Sequence, residues 1–301
     1  MSERDTSPKS APGIERRRFR DGAPVVLGLL GAGTVGGGVL RLLSDNARWL
    51  AERVGVPLEV KRVLVRDLEK ERVPECDKEK LTTRPEDVVD DPGIDVVVEV
   101  MGGEELAGEL VERALRSGKG VVTANKMLLA ARGPRLVDLA VEKRVDLAFE
   151  GAVGGGIPII RTLRDAFASD WVVSLSAIIN GTCNFVLTRM RDDGLTMEAA
   201  IREAQAKGYA EADPSLDVDG HDAAHKLVVL AMLAFGARVD AKRVSVEGIR
   251  TIDEADHAYA ERFGFVIKHL AVGRDHDGDI ELRVHPALVP RAHVLANVSG
   301  V

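Results

Sequence analysis

Short apolar runs alternate with longer segments of helical spacing through the first half of the chain. Residues 24–30 (PVVLGLL) are almost entirely apolar, which is typical of a parallel strand buried on both faces. Comparable runs follow at residues 58–65, 94–101, 120–124 and 145–149, and amphipathic segments separate them. This alternation predicts an α/β fold built on a doubly wound parallel sheet.

The pattern changes after residue 150. Residues 171–179 alternate between apolar and polar positions, and residues 265–272 and 280–289 flank an Asp- and Gly-rich loop that suits a β-hairpin. Thr196 resembles the N-cap of a helix that Gly208 ends. The second half is therefore predicted to be an α+β domain in which helices back an antiparallel sheet.

The length agrees with two domains, since 301 residues exceed the roughly 250 at which one core stops growing. We place the first domain at residues 25–150 and the second at 151–301. Residues 1–24 are polar, rich in Pro and Gly, and lack the apolar centre of a signal peptide, so we expect a disordered tail.

Charge and cysteine content narrow the choice of partners. The chain carries 41 basic and 48 acidic residues, a net charge of -7, which argues against a nucleic-acid partner. No apolar run is long enough for a membrane span. Cys76 and Cys183 lie far apart without CxxC spacing, so neither a disulfide framework nor a zinc site is indicated. We expect free thiols in a reducing cytoplasm.

A glycine-rich turn follows the first predicted strand and opens a helix. Gly31 allows the tight turn, Gly33 lets the backbone approach a pyrophosphate, and Gly36 lets helix and strand pack closely. The phosphates would meet the helix N-terminus at Thr34 and Val35. Because GxGxxG stands between a strand and a helix, it predicts a Rossmann-like dinucleotide site. The alternative is a glycine turn that binds nothing.

Cofactor choice depends on the end of the second strand. An acidic residue there binds the ribose of NAD, whereas an arginine accommodates the extra phosphate of NADP. The chain offers both, Arg66 and then Asp67, and Lys70 and Arg72 add a basic rim. We therefore favour NADP over NAD, with ordinary solvated charges as the alternative.

Two further strand ends are candidates for the same pocket, because ligands of such sheets bind at the carboxyl ends of the strands. Gly102 follows the strand at 94–101, Thr123 lies at the end of the strand at 120–124, and Lys126 comes shortly after. Lys126 is either a second charge that faces the nicotinamide and the substrate or a solvated lysine at a helix start.

The stretch from Gly208 to Leu230 concentrates carboxylates ahead of an apolar helical segment. Asp222 and Lys226 are four residues apart and lie on one helix face, while the neighbouring leucines point inward. A lysine beside a carboxylate at the rim of a core can transfer a proton. The alternative is a surface ion pair that contributes a few tenths of a kcal/mol.

A second glycine-dense turn begins at Glu150. Its glycines free several backbone carbonyls to converge, and the Glu150 carboxylate could complete an all-oxygen cation site. A turn without an ion is the alternative.

Several ordered motifs resemble the homoserine dehydrogenase family over residues 24–301. They are GLLGAGTVGGGV, VVVEVMGG, VVTANKMLLA, EGAVGGGIPII, IINGTCNFVLTRM and GYAEADPSLDVDGHDAAHK. The resemblance implies NAD(P)-dependent interconversion of L-homoserine and L-aspartate 4-semialdehyde, on the route to threonine, methionine and isoleucine.

The resemblance also implies roles for single residues. It makes Asp222 and Lys226 the catalytic pair, with Lys126 as a second lysine in proton transfer. Glu211 would bind the substrate ammonium. Asn180, Gly181 and Thr182 would form a loop beside the substrate, and Asp217 would be an acidic neighbour of the substrate amine. A sodium site would consist of Glu150, Val153, Gly155 and Ile157.

Members of the family continue beyond the position at which this sequence stops. From this we expect no regulatory ACT domain. The resemblance itself implies a homodimer that pairs through the second sheet. Two alternatives to an active enzyme are a truncated, catalytically weak NADP-binding homologue that acts as a pairing partner, and a related amino-acid dehydrogenase.

Overall fold

Six parallel strands form the sheet of the first half of the chain. The computed structural model describes residues 22–301, so most of the predicted tail lies outside the described residues. The strands are β1 (Val25–Leu30), β2 (Leu58–Leu64), β3 (Leu81–Thr82), β4 (Val96–Glu99), β5 (Gly120–Thr123) and β6 (Leu147–Ala148). Their order is β3-β2-β1-β4-β5-β6, which confirms the doubly wound Rossmann-like sheet.

Helices connect these strands, and their buried faces supply the core with residues such as Leu115 and Leu128. They are α1 (Thr34–Asp45), α2 (Ala47–Val54), α3 (Glu86–Val89), α4 (Glu105–Arg116) and α5 (Lys126–Lys143). The segment between Gly33 and Gly55 forms two helices, divided at Asn46, whose side chain donates to the Leu42 carbonyl. Strand β3 and helix α3 escaped prediction because they are too short to show a period.

The second half forms a four-stranded sheet. Its strands are β7 (Ser174–Ala177), β8 (Ser245–Val246), β9 (Phe265–His276) and β10 (Asp279–Pro290), in the order β7-β9-β10-β8. Strands β9 and β10 form the predicted hairpin, which turns through Asp277 and Gly278 at positive φ. The sheet is mixed rather than purely antiparallel, since β8 runs parallel to β10.

Six helices accompany this sheet. They are α6 (Ile159–Arg161), α7 (Gly181–Asp193), α8 (Met197–Ala206), α9 (Ser215–Val218), α10 (His221–Ala234) and α11 (Glu254–Arg262). Thr196 caps α8 by accepting from the Ala199 amide, as predicted. Among residues 22–301, none of the helices combines the length and apolar character needed to cross a bilayer.

The two halves meet where α5 packs against α10. Ala130 of α5 shares a buried cluster with Ala223 and Leu227 of α10. A Cβ added to Gly133 would lie 3.1 Å from the Met232 sulfur, so small residues allow a close approach. This packing brings the first turn of α5 to the first turn of α10.

Candidate active site

The Asp222 carboxylate joins one lysine from each half of the chain. The Lys226 Nζ lies 2.7 Å from Oδ2, and the Lys126 Nζ lies 2.7 Å from Oδ1. The Asp222 and Lys226 side chains are only 7% and 18% exposed, so the pair is not the solvated surface ion pair that the sequence also allowed. The structure therefore brings together all three predicted catalytic residues.

The charges of this cluster depend on one another. Burial alone would raise the pKa of Asp222, but the two neighbouring ammonium groups outweigh it and lower that pKa below its ordinary value. Asp222 is thus ionised at neutral pH, and the N-termini of α5 and α10 add favourable dipoles beside it.

Asn180 extends the cluster to a second carboxylate. Its Nδ2 donates to Asp217 at 2.8 Å and to Asp222 at 2.9 Å, while its Oδ1 accepts from the Cys183 amide and caps α7. Burial is the main cause that raises the pKa of Asp217, opposed by the Asn180 hydrogen bond. A cation next to Asp217 would therefore stabilise its carboxylate.

The lysines retain hydrogen-bonding capacity. An ammonium group has three N–H donors. Within the described part of the chain, Lys226 uses one on Asp222 and one on the Ile179 carbonyl at 2.9 Å, whereas Lys126 uses one on Asp222. Both can therefore donate to an oxygen of a small ligand.

The remaining predicted substrate residues surround the start of α7. Thr182 is buried and donates to the Tyr209 carbonyl at 2.7 Å, so it connects this turn to the loop that carries Glu211. A Cβ on Gly181 would lie 2.7 Å from the Val301 side chain, so any larger residue there would require Val301 to move. The Glu211 side chain is exposed, and its contact with a substrate stays a prediction.

A cavity of about 880 Å³ lies at the carboxyl edge of the first sheet. Gly31 has φ +104°, and a Cβ there would collide with the Met101 backbone at 2.9 Å. A Cβ on Gly36 would lie 2.3 Å from the Gly31 carbonyl oxygen, whereas one on Gly33 would meet nothing within 4 Å. Gly33 therefore presents open backbone to the cavity, as a pyrophosphate requires, and the first amides of α1, at Thr34 and Val35, follow it.

One end of the cavity carries the basic rim expected from the sequence. Arg66, Asp67, Lys70 and Arg72 all line it. Arg72 donates to the Lys70 carbonyl at 2.6 Å and to the Asp67 carbonyl, so it braces the loop. Arg66 and Lys70 are exposed and available to an anion.

A hydrogen-bonded turn connects the wall of the cavity to the start of the helix that carries Lys126. Gly102 and Gly103 line the cavity, and the Asn125 side chain donates to the Gly103 carbonyl at 2.6 Å. Asn125 also caps α5 by accepting from the Leu128 amide, and Lys126 follows directly. Thr123 is only 1% exposed, backbone included, so its contact with a cofactor stays a prediction.

Sequence reasoning missed Glu99, whose buried carboxylate accepts from the Thr123 hydroxyl at 2.6 Å. The signal that could have found it is a single carboxylate inside the apolar run VVVEVM. It also passed over His225, half-buried beside Lys226, where burial lowers the pKa of the imidazole below its ordinary value.

The predicted sodium site shows oxygens with existing partners. Both Glu150 carboxylate oxygens accept backbone amides, those of Ile160 and Arg161, each at 3.0 Å. The Ile157 carbonyl accepts from the Ile159 amide at 2.8 Å. Across residues 22–301 no group of three or more His, Cys, Asp or Glu could hold a metal. Sodium binding at Glu150, Val153, Gly155 and Ile157 stays a prediction.

Comparison with known proteins agrees with this geometry. Residues 31–150 match the family model described as homoserine dehydrogenase, NAD binding domain, and residues 158–301 match the one described as homoserine dehydrogenase. A homoserine dehydrogenase of Pseudomonas aeruginosa is 47% identical over 280 residues, which are 92% of this chain and 64% of that relative. This chain is thus shorter than the relatives it matches.

Solved structures give the same result. The crystal structure of a homoserine dehydrogenase from Thiobacillus denitrificans matches with a TM-score of 0.86 and 47% identity, covering 92% of this chain and 64% of that one. A hyperthermophilic archaeal homoserine dehydrogenase in complex with NADPH matches with a TM-score of 0.76 and 26% identity, covering 93% and 86%. The chain belongs to the homoserine dehydrogenase family.

Proposed function

We propose that the chain interconverts L-homoserine and L-aspartate 4-semialdehyde with a nicotinamide cofactor. The observation that carries this proposal is the Asp222 carboxylate, which holds Lys126 and Lys226 together. Lys126 directly follows Asn125, whose side chain donates to Gly103 in the wall of the glycine-turn cavity. A pair of lysines can supply both positive charge and a proton to a carbonyl oxygen during its reduction.

The chemistry assigns a task to each charged group. The nicotinamide supplies or accepts the hydride when bound. In the reducing direction a free N–H of Lys226 donates to the aldehyde oxygen, stabilises the charge that develops on it and provides the proton. Lys126 adds a second positive charge through the other oxygen of Asp222, which orients both ammonium groups.

Two carboxylates suit the amino group of the substrate. Asp217, held by Asn180, and Glu211 would pair with the substrate ammonium. Because burial raises the pKa of Asp217, an incoming cation would stabilise its charged form, which favours a substrate that carries an amine.

NADP is the proposed cofactor, with NAD as the alternative. Exposed Arg66 and Lys70 at the rim support it, since they can pair with the additional phosphate on the adenosine ribose. Asp67 in the same rim is the feature that would favour NAD.

We further propose that the reaction takes place in the cytoplasm and serves threonine, methionine and isoleucine synthesis. Cys76 and Cys183 are free, buried thiols, as suits a reducing compartment.

A homodimer is proposed through the second sheet. Tyr259, Phe263 and Leu288 are 60%, 70% and 59% exposed around an apolar cavity of about 580 Å³, remote from the lysine cluster. Light scattering of the purified protein tests this assembly, and a monomer at micromolar concentration would contradict it.

The activity is tested by mixing the purified protein with L-homoserine and NADP+ or NAD+ and recording the reduced cofactor. L-Aspartate and L-alanine serve as comparison substrates. Turnover confined to homoserine supports the proposal, and preference for another amino acid indicates a related dehydrogenase. NADPH binding without turnover of any of the three indicates a weak homologue that acts as a pairing partner.

A further inference from the structure

Glu99 is a carboxylate buried at the carboxyl end of β4, with 0% of the residue exposed. Its Oε1 accepts from the Met101 amide at 3.0 Å and the Gly102 amide at 3.2 Å, and its Oε2 accepts from the Thr123 hydroxyl at 2.6 Å. Burying a charge is costly unless hydrogen bonds compensate for it, and these three donors do so. An apolar residue would fill the strand at lower cost, so the carboxylate indicates a specific requirement.

Further hydrogen bonds lead from Thr123 back to the turn that Glu99 holds. The Thr123 hydroxyl accepts from the Asn125 amide at 3.0 Å, and the Asn125 side chain donates to the Gly103 carbonyl at 2.6 Å. Gly103 follows the Gly102 amide that Glu99 holds. A closed ring of contacts therefore links the turn after β4 with the turn after β5.

This ring fixes the two segments that the proposed reaction must align. The turn at Gly102 and Gly103 lines the nucleotide cavity, and its φ angles of +73° and +77° belong to residues that have broad conformational freedom. On the other side, Asn125 caps α5 and is followed by Lys126, which reaches Asp222. The ring adds side-chain links to the backbone pairing of β4 with β5, and so fixes the cavity wall and Lys126 more closely relative to each other.

We propose that Glu99, acting through Thr123 and Asn125, is a positioning residue that sets the distance between the nicotinamide end of the cavity and the lysine cluster. This inference rests on the proposed function. It concerns alignment rather than proton transfer, because every Glu99 oxygen is already engaged and the side chain is inaccessible to substrate.

The same sheet contains a matched arrangement that lacks the ring. The Thr82 hydroxyl on β3 donates to Asp87 at 2.6 Å and accepts from the Arg84 amide at 3.1 Å. Thr82 is 8% exposed and its partner Asp87 is half-buried, so removal of its hydroxyl breaks a hydrogen-bond pair of the same kind in a less buried setting. It carries no connection to α5 through the contacts described above, which makes Thr82→Val the control for loss of stability alone.

The test compares Thr123→Val, Thr123→Ser and Thr82→Val at saturating cofactor. We expect Thr123→Val to lower kcat about tenfold to a hundredfold, the scale of a small misalignment of reacting groups, with the KM for homoserine changed less than about threefold. Thr123→Ser keeps the hydroxyl and should restore most of kcat. Thr82→Val should lower the melting temperature similarly and leave kcat within about twofold of wild type. Glu99→Gln, if it folds, should resemble Thr123→Val.

Hydrogen exchange gives a readout that does not depend on turnover. In Thr123→Val the amides of residues 101–103 and 125–128 should exchange faster, and in Thr82→Val they should match wild type. A Thr123→Val kcat within about threefold of wild type, or an equal loss in Thr82→Val, would overturn the inference. If wild-type protein does not oxidise homoserine, the proposed function fails, and unchanged exchange in Thr123→Val would then separately overturn the positioning role.

Discussion

Two lysines in the second half of the chain are buried in different surroundings. Lys226 lies beside a carboxylate that it shares with Lys126. Lys268 on β9 is 1% exposed and donates to neutral oxygens, the Asn184 side chain at 3.1 Å and the Val298 carbonyl. Burial, with a smaller effect of the Arg191 charge, lowers the pKa of Lys268 from 10.5 to about 8.

The difference shows what marks a functional lysine in this fold. Burial alone does not, because Lys268 is the more buried of the two and only anchors residues 298–300 to α7. Lys226 is distinguished by a carboxylate that it shares with a second lysine and by a spare N–H donor. The surroundings of Lys226 suit proton transfer, whereas those of Lys268 suit the attachment of one segment to another.

Removing the shared carboxylate should have the largest effect. Asp222→Asn leaves two ammonium groups against a neutral amide, so we expect a loss of about 3–5 kcal/mol in the free energy of unfolding, the cost of breaking a buried pair. We also expect kcat to fall at least about a hundredfold. Denaturant titration and steady-state kinetics measure the two effects.

The loss of stability at acid pH provides a second test of Asp222. The pKa of Asp222 is lowered in the folded state, so its contribution is present above the ordinary value of 3.8 and is lost as pH falls below it. Wild-type protein should lose more stability than Asp222→Asn over that window. Parallel curves for the two proteins would contradict the proposed charge state.

Replacing the other lysine should change stability rather than catalysis. The folded-state pKa of Lys268 is depressed, so the unfolded chain holds an extra proton between about pH 8 and 10.5, and wild-type stability should rise across that window. Lys268→Met should lack this rise, which amounts to roughly 3 kcal/mol, and keep kcat within about threefold of wild type. Urea denaturation of both proteins from pH 7 to 10.5 measures the difference. An equal rise in both would show that Lys268 keeps its charge despite burial.

The sequence predicted the first domain better than the second for a physical reason. Buried parallel strands read as continuous apolar runs, and GxGxxG stood between one of them and a helix, so the nucleotide cavity followed. The pairing of Asp222 with Lys226 followed from helical spacing. The contact of Lys126 with Asp222 and the Glu99 ring could not be predicted from the sequence pattern, because both depend on how distant segments pack.

A smaller effect is expected at the exposed end of the cavity, where charges are solvated. Arg66→Ala should weaken NADPH binding about tenfold and leave NADH binding nearly unchanged, because only NADPH carries the additional phosphate. Fluorescence titration of each cofactor measures both affinities, and Lys242→Ala, in a short 3-10 helix outside the cavity lining, is the matched control. If Arg66→Ala weakened the binding of both cofactors equally, Arg66 would not be the residue that contacts the additional phosphate.

The most direct test of the account is a double-mutant cycle on kcat for homoserine oxidation with Lys126→Ala and Lys226→Ala. If the two lysines act as one unit through Asp222, Lys226→Ala alone lowers kcat at least about a hundredfold and the double variant falls no more than about threefold further. Losses that multiply independently, or near-normal turnover by Lys226→Ala, would contradict the claim that this cluster performs the chemistry.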